Sequence, residues 1–154
     1  MLILGSMPGP VALRKREYYG FPGNYFWRLL PEILGERAPR DYAAKVALLK
    51  DRRVALWDVI RSCTRTGASD GTIRDAAPND IPGLLRRRKG IGAIFLNGKT
   101  AERLYRVHFG GTLHVPAFGL PSTSPANASV SYERKRRAWS AAIRPFLENR
   151  NPWC

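Results

Sequence analysis

The sequence predicts a single α/β domain with parallel strands, and two observations favour this fold class. Short, nearly continuous apolar runs recur along the chain, as they do in strands that are covered on both faces. Segments with the helical spacing of apolar residues separate these runs, which is typical of β-α-β units. A chain of 154 residues can bury its own core, so we expect residues 1–154 to form one domain without internal repeats.

Four apolar runs are candidate strands, and in chain order they cover residues 2–4, 54–57, 93–96 and 114–118. In open α/β sheets, ligands bind beyond the carboxyl ends of the strands. The polar segments that follow the four runs are GSMPGP, DVIRSCTRTGASDGTIRD, NGKT and GLPSTSPAN. We therefore expect these four loops to meet at one edge of the sheet.

Helical spacing of apolar residues predicts the helices between these runs. The first covers residues 24–34, where Pro31 is expected to kink the helix or to start a new turn. A short helix is predicted over residues 82–88, after a cap at Asn79 and Asp80 and before Gly90. The other predicted helices cover residues 41–51, residues 99–108 and the segment from Ser131 onward.

The charge of the chain indicates a polyanionic partner. Lys and Arg number 26 against 12 Asp and Glu, which gives a net charge of +14 and a pI near 10.7. The basic residues cluster at positions 14–16, 86–89 and 134–137. A generically basic protein with solvated helix faces is the alternative, and the clustering argues against it.

Several classes of protein are disfavoured by the sequence. No apolar run reaches the roughly 18 residues of a membrane span, and the segment MLILGSMPG is too short for a signal peptide, so we expect a cytoplasmic protein without a membrane partner. Cys63 and Cys154, like His108 and His114, lack the spacing of a metal site. GSMPGP lacks the phosphate-loop lysine and the dinucleotide-binding pattern, so we expect no metal and no cofactor.

Two loops have features of a binding site, although each also has an ordinary structural explanation. In GSMPGP, Gly5 and Gly9 allow the backbone to approach a ligand while Pro8 and Pro10 fix its path, but a tight strand exit has the same composition. STSPAN offers hydroxyl groups that could grip a phosphodiester, but it also fits a Ser/Pro turn. Neither loop is decisive alone.

Taken together, these motifs resemble a known family. The order of GSMPG, YYGFPGNYFW, RDAAPND, NGKTA and PSTSPAN resembles the uracil-DNA glycosylase superfamily, and most closely its hypoxanthine-DNA (deoxyinosine) glycosylase family. The resemblance spans residues 2 to about 139 and implies a three-layer α/β/α sandwich around a four-stranded parallel sheet. It also implies a pocket for a base that is swung out of the DNA.

The resemblance also implies roles for individual residues. Many superfamily members carry Asp or Asn where this chain has Met7, which cannot polarise water, so the catalytic amide is expected to be Asn24. The alternative for Asn24 is a helix N-cap. Tyr19 is expected to stack on the base, with Tyr18 in a packing role, and Asn97 to bond the base or a phosphate or to form a turn. The implied base-binding set is Gly5, Ser6, Met7, Pro8, Gly9, Tyr19 and Asn97, and the implied DNA-binding set is Ser122, Thr123, Ser124, Pro125, Ala126 and Asn127.

The implied activity is that of a monofunctional DNA glycosylase of base excision repair, a monomer that acts on DNA containing deaminated bases, with hypoxanthine as the first substrate. No lysine for a Schiff base lies in the matched motifs except Lys99. Ser122 stands where relatives often have histidine, so a cationic partner for the leaving base is missing. We expect Asp58 and the pair Arg74–Asp75 to brace the pocket through salt bridges and not to take part in the chemistry.

Three alternatives remain open at this point. One is a uracil or G:U/T mismatch glycosylase. Another is a nucleic-acid-binding module with a decayed active site, which Met7 and Ser122 make conceivable. The third is a thiol enzyme that uses Cys63 with His108, although the sequence gives Cys63 no adjacent base, helix N-terminus or CxxC partner.

Overall fold

The structure is a computed structural model that describes residues 1–67 and 69–148. Cys154 and the residues just before it therefore lie outside the described part of the chain. The strands of the described residues are β1 (Leu2–Gly5), β2 (Ala55–Asp58), β3 (Ile60–Thr64), β4 (Arg74–Pro78), β5 (Ile94–Asn97) and β6 (Ala117–Leu120). Their helices are α1 (Pro10–Lys15), α2 (Phe26–Ile33), α3 (Tyr42–Asp51), α4 (Ile81–Arg87), α5 (Lys99–Phe109) and α6 (Tyr132–Glu148), with a 3-10 turn at Asp70–Thr72.

Four of the strands form a parallel sheet in the order β2-β1-β5-β6. The register pairs Gly5 with Asp58 across β1 and β2, and Asn97 with Leu120 across β5 and β6. The carboxyl ends of all four strands therefore lie at one edge, and the loops that follow them meet there.

The side chains of the central strands alternate between two hydrophobic cores. Ile3 and Phe95 pack on one face with Trp27 of α2 and Trp139 of α6. Leu2, Leu4, Ile94 and Leu96 pack on the other face with residues of α4 and α5. Strands β1 and β5 are buried along their whole length, which explains their continuous apolar sequence. The predicted three-layer α/β/α fold is confirmed.

The predicted helices are confirmed, with Pro31 inside α2. Asp41 and Asp80 cap α3 and α4, because their carboxylates accept hydrogen bonds at 2.8 Å from the backbone N–H groups of Ala44 and Gly83. Within residues 1–67 and 69–148, no helix has both the length and the apolar character that a bilayer crossing requires.

The structure differs from the sequence prediction at three elements. The fourth sheet strand begins at Ala117 and not at residue 114, because Pro116 has no N–H and joins the sheet only by accepting a 2.9 Å hydrogen bond from Ile94. Strands β3 and β4 form a separate antiparallel ribbon with shifts in register, where the sequence predicted a loop. Helix α1 lies inside the predicted first loop, with Pro10 in its first turn.

Candidate active site

The carboxyl ends of β1 and β2 place a buried acid beside a glycine. Asp58 is only 6% exposed, and a methyl group built on Gly5 would lie 2.5 Å from its Oδ1 atom. Any side chain larger than hydrogen at position 5 would therefore displace the carboxyl group. The sequence analysis expected Gly5 to let the backbone approach a ligand closely. In the structure, the group that approaches the Gly5 backbone is the Asp58 carboxyl of the protein itself.

The Asp58 carboxyl has no ionic or hydrogen-bonding side-chain partner among the described residues. Burial, with a smaller effect of the nearby Asp70 carboxylate, raises its pKa from 3.8 to about 7. The expectation that Asp58 and Arg74–Asp75 form salt bridges is wrong for the described part of the chain, where none of these residues is in an ion pair. Asp58 is attached to the ribbon by its backbone carbonyl, which accepts a 2.9 Å hydrogen bond from the Asn79 side chain.

Tyr19 lies next to this carboxyl in a strained backbone conformation. Its φ of 53° is in the left-handed region, which bulky residues rarely adopt. One ring face stacks on Phe26 of α2, with the ring centroids 3.9 Å apart and the planes inclined by 20°. Its hydroxyl is 3.4 Å from the methyl position of Gly5 and close enough to interact with Asn97. Burial, followed by the Asp58 charge, raises the pKa of Tyr19.

Tyr18 has a packing role, as expected. Its carbonyl accepts a 2.7 Å hydrogen bond from the Trp27 indole, and its N–H donates to the Tyr42 hydroxyl at 3.2 Å. Burial raises the pKa of Tyr18 to about 12, with smaller effects from Asp58 and Tyr42. The hydroxyl groups of both tyrosines thus remain protonated beside Asp58.

Asn24 lies two residues before α2, and its side chain closes the turn into that helix. Its Oδ1 atom accepts a 2.9 Å hydrogen bond from the N–H of Phe26, the first residue of α2, although Tyr25 and not Asn24 occupies the N-cap position. Its Nδ2 group has no partner among the described residues. Asn24 and Tyr19 line a hollow of about 260 Å³ that is completed by Lys15, Glu17, Gly20, Phe21, Pro22, Trp27 and Lys45.

Asn97 joins β5 to the loop after β6. Its Oδ1 accepts from the Thr123 N–H and its Nδ2 donates to Thr123 Oγ1, both at 2.9 Å. The Thr123 carbonyl accepts a 3.0 Å hydrogen bond from the N–H of Tyr25, directly after Asn24. Asn97, Thr123 and the segment that carries Asn24 are therefore held together, although no residue of 122–127 lines the hollow described above.

The segment 122–127, here called the hydroxyl loop, is closed by its own side chains. Ser122 Oγ accepts from the Ser124 N–H at 3.1 Å, and Ser124 Oγ accepts from the Ala126 N–H at 3.3 Å. Asn127 donates to the Ser122 carbonyl at 3.3 Å. Thr123 is fully buried, whereas Pro125 and Ala126 are exposed. The outer surface of this loop is thus formed around Pro125 and Ala126.

The first loop turns its side chains toward the β3–β4 ribbon. Ser6 donates a 2.5 Å hydrogen bond to Asp70, and the Pro8 carbonyl accepts one of 2.9 Å from Arg65. Met7 packs against Cys63, with their sulfur atoms 3.0 Å apart, and Gly9 caps α1. The structure therefore places Ser6, Met7 and Pro8 against the ribbon, and no described contact joins Cys63 to His108.

The sequence analysis missed the environment of two residues near this edge. It expected Asp58 only to brace the pocket, although its position at the carboxyl end of a sheet strand was a signal of function. Lys135 lies in a basic tract, and nothing in that tract marks it as the buried member. The described residues contain no group of three or more His, Cys, Asp or Glu side chains that could hold a metal ion.

Comparison with known proteins agrees with this architecture. Residues 1–148 match the family model of the uracil DNA glycosylase superfamily. A protein of Methanosarcina acetivorans named hypoxanthine DNA glycosylase is 37% identical over 145 residues, which cover 94% of this chain and 90% of that protein. One of Methanosarcina barkeri with the same name is 41% identical over 100 residues, 64% of this chain and 63% of that protein.

A solved structure is also similar. The solution NMR structure of a proposed uracil DNA glycosylase from Methanosarcina acetivorans superposes with a TM-score of 0.80 at 38% sequence identity. The match covers 96% of this chain and 90% of that one. Sheet topology, the residues at the sheet edge and sequence similarity over nearly the whole chain agree, and this chain belongs to the uracil DNA glycosylase superfamily.

Proposed function

We propose that this chain is a monofunctional DNA glycosylase that hydrolyses the N-glycosidic bond of deaminated bases, hypoxanthine first, and leaves an abasic site. The observation that carries the proposal is the buried Asp58 carboxyl beside Tyr19 at the carboxyl edge of the sheet. The name shared by the two Methanosarcina relatives supports hypoxanthine as the substrate. The protein acts as a monomer and needs only water as its second substrate.

The neutral form of Asp58 suits the edge that deamination creates on a base. Hypoxanthine carries an N–H next to a carbonyl group. A protonated carboxyl accepts a hydrogen bond from that N–H with one oxygen and donates to the carbonyl with the other. Burial keeps Asp58 protonated up to a pH of about 7, so both hydrogen bonds are available near neutral pH.

The same hydrogen bonds assist departure of the base. Cleavage leaves negative charge on the base, and a donor aimed at its carbonyl oxygen stabilises that charge in a site without water. A carboxyl group kept neutral by an apolar environment can act as such a donor. Asp58 thereby supplies a stabilising contact to the departing base. The family resemblance leads one to expect a histidine for this role, but this chain has Ser122 in its place.

Tyr19 provides the stacking surface. Phe26 covers one face of its ring and fixes its plane, and we place the flipped base against the opposite face. Stacking of a base on an aromatic ring contributes about 1–3 kcal/mol. A purine exposes a wide ring face, so hypoxanthine gains much from this contact.

Asn24 positions the attacking water. Its Oδ1 atom retains a second lone pair beside the hydrogen bond from Phe26, and its Nδ2 group can donate to the water or to the base. A carboxamide is too weak a base to remove a proton from the attacking water before the glycosidic bond breaks. Catalysis therefore rests on positioning and on stabilisation of charge. The hydrogen bond to Phe26 and the catalytic role of Asn24 coexist.

Uracil is a second candidate substrate, because Asp58 favours it by the same argument. Uracil also presents an N–H beside a carbonyl group, and its smaller ring gains less from Tyr19. Removal of a deaminated base also starts from a weaker base pair, which lowers the cost of flipping it out of the helix. We therefore expect hypoxanthine to be cleaved faster than uracil.

The test is cleavage of oligonucleotides that carry a single deoxyinosine or deoxyuridine, in single and double strands, followed by alkali to cut the abasic site. We expect alkali-dependent cutting, fastest for deoxyinosine. Asn24→Ser keeps an acceptor oxygen for the N–H of Phe26 but lacks the carboxamide, so it should fold, bind DNA and cleave at least a hundredfold more slowly. Wild-type binding without cutting would instead favour a DNA-binding module, and wild-type rates in Asn24→Ser would refute the role of Asn24.

A further inference from the structure

Lys135 of α6 is a buried cation at the hydroxyl loop. Its side chain is 1% exposed, and its Nζ atom donates to the Asn127 carbonyl at 2.9 Å and lies 3.5 Å from the Ser124 carbonyl. The same atom lies 5.1 Å from the centre of the Tyr25 ring. Lysine is among the residues least often buried without an ionic partner.

The charge of Lys135 has no counter-ion in the described part of the protein. The nearest acid in sequence on α6, Glu133, forms ion pairs with Arg136 and Arg137. Burial lowers the pKa of Lys135, which is the direction expected when a cation is desolvated without a carboxylate. Among the described residues, the ammonium group is stabilised by the dipoles of two carbonyl groups and the quadrupole of one aromatic ring, and by no full negative charge.

The hydrogen bonds to the two carbonyl groups do not explain why this residue is charged, because a neutral donor could form them as well. A positive charge, unlike a neutral donor, also attracts an anion from the solvent side of the loop. Pro125 and Ala126 expose the outer surface of the loop, and Arg134, one position before Lys135, is exposed without an ion pair among the described residues. The local field at this surface is therefore positive.

We infer that Lys135 is a positioning residue whose charge fixes a DNA phosphodiester at the outer surface of the hydroxyl loop, with the DNA backbone as the counter-ion that residues 1–67 and 69–148 do not supply. The inference rests on the proposed function only in that DNA is the substrate. The ammonium group holds the loop in shape through Asn127 and Ser124, and its charge acts across the loop on the phosphate.

The experiment uses Lys135→Gln, which keeps a donor for the carbonyl groups and removes the charge, and Lys135→Arg, which keeps the charge. The probe is a DNA duplex with a stable abasic-site analogue, and its affinity is measured over a range of salt concentrations. We expect Lys135→Gln to bind about tenfold more weakly and the slope of log affinity against log salt to fall by about 0.9, the value for one lost phosphate contact. Lys135→Arg should bind like the wild type.

Two further measurements separate this role from a purely structural one. Lys135→Gln should unfold at the wild-type temperature or above it, because it removes an unpaired buried charge. Its effect on cleavage should appear mainly in KM, as a need for more DNA, and less in kcat. Lys89→Gln, in the basic tract after α4, is the matched control.

Wild-type affinity and salt dependence in Lys135→Gln would overturn the inference, as would equal losses in Lys135→Gln and Lys89→Gln. A lower unfolding temperature with unchanged DNA affinity would show that Lys135 only latches the loop. If the wild type bound DNA without cutting deoxyinosine, the proposed glycosylase activity would fail. The comparison of affinities would still decide the role of Lys135.

Discussion

Asn97 and Thr123 hydrogen-bond each other twice, at 2.9 Å in both directions, across the gap between the end of β5 and the loop after β6. Both residues are buried. The pair engages both ends of the Asn97 carboxamide, and the Tyr19 hydroxyl also lies within reach of this side chain. Its described role is to hold the hydroxyl loop against the sheet edge.

Loss of either partner should therefore cost stability. Asn97→Ala and Thr123→Val each leave buried polar groups unpaired, and we expect a loss of about 1–3 kcal/mol in the free energy of unfolding. The double variant should lose less than the sum, since both substitutions remove the same interaction. Urea unfolding measures this, and strictly additive losses would contradict the pairing. Thr112→Val, at a turn outside the site, is a suitable control.

Gly5 should not tolerate a methyl group. Gly5→Ala would place a carbon 2.5 Å from Asp58 Oδ1, so the carboxyl must move away from its place beside Tyr19. We expect cleavage of deoxyinosine to fall by at least tenfold, since displaced groups near the reacting atoms weaken catalysis strongly. Gly9→Ala is the control in the same loop, because its methyl group would meet no atom within 4 Å and its φ of −72° suits alanine.

The ionisation of Asp58 should be visible in the pH dependence of stability. Its native pKa of about 7 lies above the ordinary value of 3.8, so between these values the folded state keeps a proton that the unfolded chain has lost. Stability contributed by this site therefore falls as pH rises from about 4 to 7 and is constant above that. Asp58→Asn removes this term. We expect its unfolding temperature to exceed that of the wild type above pH 7 by more than it does near pH 4, and a pH-independent difference would contradict the buried, raised pKa.

The pH dependence of cleavage provides a separate test of Asp58. If its proton stabilises the departing base, cleavage by the wild type should decline as pH rises through the pKa of Asp58 in the DNA complex. Asparagine offers the same donor and acceptor pair without titrating. Asp58→Asn should therefore remain active, and its cleavage rate should decline less than that of the wild type as the pH rises. Asp58→Leu should be nearly inactive at every pH. The same alkaline decline in Asp58→Asn would assign that decline to another group.

Tyr19 should contribute stacking and not its hydroxyl. Tyr19→Phe keeps the ring on Phe26, so we expect DNA containing deoxyinosine to bind almost as tightly as to the wild type. Tyr19→Leu removes the flat face and should lose about 1–3 kcal/mol of that binding energy. The affinity of both variants for abasic DNA should stay equal, since that ligand has no base to stack. Weak binding of deoxyinosine DNA by Tyr19→Phe would indicate instead that the hydroxyl contacts the base.

The sequence predicted the central part of the fold well. The strands around Leu2 and Ile94 are buried along their whole length, so their apolar runs are continuous and easy to recognise. The edge strand around Ala55 is only partly buried, but its sequence is still mainly apolar. The fourth strand was misplaced because β6 is an edge strand with exposed residues, and its start depends on Pro116. The β3–β4 ribbon was missed because its residues are mostly polar and its register shifts disrupt the alternation of side chains.

The candidate site was predicted in part. The sequence indicated Asn24 and Tyr19 through the family resemblance, and the structure brings both to one hollow. It did not indicate the environment of Asp58 or Lys135, because burial of a charged side chain depends on contacts between distant segments. The Asp58 carboxyl lies beside Gly5, and the Lys135 ammonium lies beneath Asn127. The spacing of residues along the sequence does not indicate such contacts.

The position of β1 in the sheet has a consequence for synthesis of the chain. This strand pairs with β2 on one side and with β5 on the other. Leu2 of β1 lies opposite Ile94 of β5, and the two residues are about 90 positions apart in the sequence. A ribosome releases the strand long before its second neighbour exists. The nascent polypeptide must therefore shield one open edge of its most apolar strand for many seconds of translation, which makes early recruitment of a chaperone advantageous.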